Sequence, residues 1–130
     1  MATTSKNYNI LSSTSAFFVW GGWAYYVNSI EGKNTGLVSG IAQGIASFVI
    51  TLIVVFAVTK LYNTISSKAL KIILPAIITV TCIGIVLVIV HSAVGTPHIL
   101  YTIAPSLTVA FLFCIFTALS LRKNENATHT

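Results

Sequence analysis

The stretch Gly36–Tyr62, "GLVSGIAQGIASFVITLIVVFAVTKLY", runs from Gly36 to Thr59 without a charged side chain. At a helical rise of about 1.5 Å per residue it covers the roughly 30 Å hydrocarbon core of a bilayer. A soluble globule of this length cannot bury several such runs in one core. Fifty-five per cent of the 130 residues are hydrophobic and 7% are charged, against about 25% charged in ordinary soluble domains. Mean hydropathy is +0.91.

Three further runs flank this one: Ile10–Ile30, Leu70–Val94 and His98–Leu121. The first is the least apolar, because it begins "ILSSTSAFF". In lipid every backbone N–H and C=O must be satisfied internally, and no ten-residue alternating pattern suggests a barrel. The sequence therefore predicts an all-α integral membrane protein of four transmembrane helices, one domain over 1–130, with polar solvated tails at 1–9 and 122–130. The links "EGKNT", "NTISSKA" and "GTP" are short, so consecutive helices are expected to be antiparallel neighbours in a bundle.

Charge gives the expected direction. Lys6, Lys60, Lys68, Lys71, Arg122 and Lys123 fall at one end of the four runs, and Lys33 stands alone at the other beside Glu31. The positive-inside rule then predicts cytoplasmic termini, and a bacterial inner membrane is the expected location. The net charge of +5 is dispersed rather than clustered, which excludes a nucleic-acid surface. The segment after Lys6 is interrupted by Trp20, Gly21, Gly22 and Trp23 and lacks a small-residue cleavage site, so it reads as a retained span rather than a signal peptide.

Glycines and polar residues within the runs carry the finer expectations. Gly36, Gly40 and Gly44 recur every four residues, continued by Ser47 and Thr51. In a membrane such a stripe promotes close helix approach, foremost within the bundle and secondarily against another subunit. Gly21 and Gly22, set between Trp20 and Trp23, are assigned the same packing role and leave room beside the rings. Pro105 is a candidate hinge, its released carbonyl capacity taken up by nearby threonine hydroxyls.

Trp23, Tyr25, Gln43, His91, Tyr101 and Thr102 lie by depth toward the end opposite the termini, and Trp20 lies near mid-membrane. They define the candidate ligand-binding set: an outward-facing aromatic and polar cavity for an uncharged or amphiphilic ligand. The competing explanation is an interfacial aromatic belt, which Trp20 and Gln43 lie too deep to join. Lone histidines at helix ends do not make a metal or haem site. Cys82 and Cys114 read as buried thiols without disulfide spacing.

No carboxylate, lysine or arginine lies deep in a span, which disfavours ion-coupled transport. No nucleophile–base set or phosphate loop is present, so no catalytic residue, metal or cofactor is assigned and enzymatic activity is not expected. The expected partners are membrane lipid and a second copy or another membrane protein. The expected function is binding or transport of the ligand, with a structural or accessory subunit, or an immunity or regulatory protein, as the alternatives.

Overall fold

The computed structural model describes residues 2–130, with side chains from residue 7 onward. Four helices follow one another: α1 (Ala2–Asn28), α2 (Lys33–Thr64), α3 (Leu70–Ala93) and α4 (Ile99–Thr128), with a short 3-10 turn, Ser29–Glu31, between α1 and α2. The fold is all-helical, and three helices (α2, α3 and α4) are long and apolar enough to cross a membrane. The α1–α2 and α3–α4 links define the loop end of the bundle; both chain ends and the α2–α3 link define the termini end.

The polar tails continue the helices, and residues 122–130 are exposed. Helix α1 already includes Ala2, and α4 continues to Thr128. Neither tail contains proline or glycine, and at α4 Glu125 is tied to Lys71 and Tyr62 of the preceding helices. The Lys6 side chain lies outside the described residues; the other basic residues expected on its side all fall at the termini end.

Helices α1 and α2 pack at backbone distance. A Cβ on Gly21 would come within 2.9 Å of the Gly40 carbonyl oxygen, and one on Gly40 within 3.0 Å of the Gly21 oxygen. Gly36 meets Ser29 and Gly44 meets the Phe17 ring, so the helices run antiparallel and the glycine stripe is consumed inside the bundle. Gly22 departs from the packing role assigned to it. A helix turns about 100° per residue, and this rotates Gly22 to the exposed face, where nothing lies within 4 Å of an added Cβ.

The interior divides by depth. Toward the termini end lies an apolar cluster of Val54, Val58, Tyr62, Ala76, Cys114 and Ala118, although Ser13 and Thr79 are also buried in this half. Toward the loop end Asn28, Ser39, Gln43, His91, Thr96, Thr102 and Ser106 are buried. The outer surface carries the large aliphatic and aromatic groups, among them Phe18, Phe56, Ile89, Leu112 and Phe116. Cys114 is buried as expected; Cys82 instead faces outward. On this outer surface Thr14, Ser15, Thr59, Thr108, Thr117 and Ser120 each donate to the carbonyl four residues back, which hides the hydroxyls within their own helices.

Candidate functional site

A single line of residues on α2 builds the centre of the site. Ser39, Gln43 and Ser47 follow at four-residue spacing beside the glycine row, so one row meets α1 while the other meets α3 and α4. Gln43 Oε1 lies 2.6 Å from His91 Nε2, and its amide nitrogen donates to Ser47 Oγ and Ser106 Oγ, both at 3.3 Å. Because the amide oxygen only accepts, His91 Nε2 carries the hydrogen. In the neutral ring Nδ1 is then an acceptor, and it receives the Thr96 hydroxyl at 2.7 Å. Ser39 completes the series by donating to Thr96 Oγ1 at 3.1 Å. Every member passes its hydrogen one way, from Ser39 through Thr96, His91 and Gln43 to Ser106, whose hydroxyl donates to the Ile103 carbonyl at 2.8 Å.

Gly95 explains how Thr96 reaches His91. At φ +71° it occupies the left-handed conformation that glycine tolerates best. The Thr96 N–H then bonds the His91 carbonyl at 2.9 Å, and the Gly95 N–H bonds the Ser92 carbonyl at 3.3 Å. This paired helix termination folds the chain back over the last turn of α3, placing the Thr96 side chain above the imidazole.

A second knot closes the loop end. Asn28 Nδ2 donates to Thr102 Oγ1 and to the Ala24 carbonyl, each at 2.8 Å, and its Oδ1 accepts the His98 backbone N–H at 3.1 Å. Trp23 Nε1 donates to the Tyr101 carbonyl at 2.9 Å. That oxygen is four residues before Pro105, which has no N–H to offer it. The expected threonine rescue does not occur: Thr102 Oγ1 donates to the His98 carbonyl instead.

The seven candidate residues do not gather around one outward cavity. Gln43 and His91 join each other, and Thr102 belongs to the Asn28 knot. Tyr101 contributes only its backbone, with its side chain 74% exposed, and Tyr25 packs its Cβ on Gly40 while remaining partly exposed. Direct side-chain hydrogen bonding fills the space that depth alone suggested as a pocket.

Trp20 lies elsewhere, against a cavity of about 230 Å³ on the termini side of Gln43. Its walls include Tyr8, Ser12 and Trp20 of α1, Ser47, Thr51 and Val54 of α2, Ile83 and Leu87 of α3, and Ser106, Val109, Ala110 and Phe113 of α4. Tyr8 and Phe113 also belong to the outer surface, at 70% and 42% exposure, so the cavity opens sideways between α1 and α4. Among the described residues the Trp20 indole N–H has no hydrogen-bond partner, whereas Trp23 does. Ser47 and Ser106, the terminal acceptors of the network, form its polar roof.

Ser39, Ser47, Thr96, Ser106 and Asn28 are the site residues missing from the sequence-derived set. The four-residue spacing of Ser39 and Ser47 about Gln43, and a glycine just after the α3 pattern, are the signals that identify three of them. Asn28 and Ser106 are brought in by tertiary packing alone. No protein-family model matches the chain, and no curated protein or solved structure matches it.

Proposed function

We propose that this chain is a four-span integral membrane protein, with cytoplasmic termini, that binds an uncharged or amphiphilic ligand without transforming it. The observation that carries the binding reading is the side-opening cavity lined by Trp20, whose indole donor has no hydrogen-bond partner among the described residues. Its volume of about 230 Å³ exceeds the roughly 150 Å³ apolar cavity known to take up benzene. It suits a small ring system or an acyl segment bearing one hydroxyl or carbonyl. The polar end would meet Trp20 Nε1 and the Ser47 and Ser106 hydroxyls; the apolar remainder would lie against Leu87, Val109 and Phe113.

Membrane crossing is supported by the distribution of side chains: hydroxyl, amide and imidazole groups inside, large hydrocarbons outside. Water would penalise that exposed surface; lipid does not. For α1 the support is its backbone contact with α2 and the internal bonding of Thr14 and Ser15, which lowers the cost of placing its polar first half in lipid. The cytoplasmic assignment rests on Lys60, Lys68, Lys71, Arg122 and Lys123 at the termini end.

A brominated medium-chain alcohol is a direct probe in purified, detergent-solubilised protein. In a Trp23→Phe background it is expected to quench Trp20 fluorescence saturably, and Ala110→Phe, which fills the cavity, is expected to abolish the saturable component. Quenching that rises linearly with probe, or is unchanged by Ala110→Phe, would contradict the cavity assignment.

A further inference from the structure

A second concavity lies at the termini end, between the start of α3 and the last turns of α4. It encloses about 610 Å³, with Tyr62, Lys68, Lys71, Arg122, Glu125 and His129 in its wall. Glu125 is committed on both oxygens: one accepts from Lys71 Nζ at 3.3 Å and the other from the Tyr62 hydroxyl at 2.7 Å. Lys71 Nζ also sits 4.7 Å from the Tyr62 ring centroid. The single carboxylate is therefore drawn to one side with one cation. Among the described residues neither Lys68 nor Arg122 has an ion-pair partner, so two positive charges in this pocket remain uncompensated.

The surroundings distinguish this pocket from a solvated basic surface. Along α3 and α4, within two turns of Lys71 and Arg122, the chain exposes Leu70, Ile73, Phe116 and Leu119. A basic hollow on helices that also expose hydrocarbon complements a molecule with an anionic head and apolar tails. The planar Arg122 guanidinium supplies a two-pronged contact to phosphate oxygens, and the Lys68 ammonium adds a mobile point charge.

We propose that this pocket binds the phosphate of an anionic phospholipid headgroup through Arg122 and Lys68, with Glu125 holding Lys71 at its edge. The site is separate from the Trp20 cavity and rests only on the membrane-crossing part of the functional reading. Protein extracted from membranes solely by detergent, yet holding no anionic lipid, would contradict the headgroup site alone.

The test is native mass spectrometry of the full chain in mild detergent, titrated with phosphatidylglycerol or phosphatidylcholine. One phosphatidylglycerol is expected to be retained per chain, in preference to phosphatidylcholine. Lys68→Gln with Arg122→Gln is expected to weaken retention about 30-fold, from the typical attraction of two basic residues to an anionic membrane surface. Lys60→Gln with Lys123→Gln removes equal charge nearby and is expected to change it little. Equal losses in the two double variants would assign the effect to diffuse surface charge and overturn the site. Complete displacement of the lipid by millimolar inorganic phosphate would overturn the lipid assignment in favour of free phosphate. Equal retention of both lipids would refute recognition of the charged head.

Discussion

Trp23 and Pro105 are complementary although they never bond: Trp23 Nε1 donates, at 2.9 Å, to the Tyr101 carbonyl that Pro105 cannot serve from within α4. The proline creates an acceptor and the tryptophan of another helix uses it. This joins α1 to α4 at the loop end. Further toward the termini the two helices form facing walls of the Trp20 cavity.

This pairing predicts non-additive stability changes. Trp23→Phe keeps most of the ring but removes the donor, and is expected to cost roughly 0.6 kcal/mol, the typical value of an interhelical hydrogen bond in a membrane protein. In a Pro105→Ala background the Tyr101 carbonyl regains a donor from its own helix, so Trp23→Phe should cost less. Reversible unfolding of the four proteins in mixed micelles gives the coupling; equal costs in both backgrounds would separate the two residues.

Gln43 is the hub on which three polar side chains depend. Gln43→Leu leaves His91 Nε2–H without its acceptor and Ser47 and Ser106 without their donor, with an expected loss of about 1–3 kcal/mol. Replacing both Gln43 and His91 by leucine should recover part of that loss, because both ends of the shortest bond are then removed. The same unfolding assay reads the difference.

The adjacent glycines of α1 are expected to respond in opposite directions. Gly21→Ala drives a methyl group against the Gly40 backbone and should lower stability, since neither backbone yields without separating the helices. Gly22→Ala enters open space and should be neutral or stabilising by up to about 1 kcal/mol through helix propensity. Thermal unfolding of the two variants makes the comparison.

The docking of the α4 end should depend on acid. The Glu125 carboxyl lies below its ordinary value of 4.5, chiefly through the Tyr62 hydroxyl and next through Lys71. A carboxyl lowered in the folded state contributes stability at every pH above 4.5, lost as pH falls through the depressed value. Amide exchange of residues 122–128 should therefore accelerate in that acid range in the wild type. In Glu125→Gln it should be fast throughout.

Architecture was legible wherever hydrocarbon ran unbroken. The charge-free Gly36–Thr59 run became the middle of α2, and the glycine spacing marked the face that receives α1. The Leu70–Val94 run differs from α3 by one residue at its end, because Gly95 terminates the helix just beyond it. Polarity marked 122–130 as a solvated tail but did not specify its conformation: the residues are exposed, and helix propensity with the Glu125 contacts carries α4 to Thr128.

The site was legible in depth but not in connectivity. Gln43 and His91 stood out as polar groups among aliphatics, and each is fully buried. Their mutual bond required α2 and α3 to align, which sequence spacing does not specify. Exposed Tyr101 and buried Thr102 are neighbours on α4 that face opposite environments, so placing both in one cavity failed on helical rotation rather than on chemistry.

The most direct test of the central claim uses Trp20 as a depth probe in the Trp23→Phe protein, leaving one tryptophan in the chain, reconstituted in bilayers whose lipids carry bromine at graded positions along the acyl chain. Quenching is expected to be strongest with bromine near the bilayer centre and slight with aqueous iodide. Emission characteristic of water-exposed indole, quenched by iodide and indifferent to brominated chains, would contradict the claim.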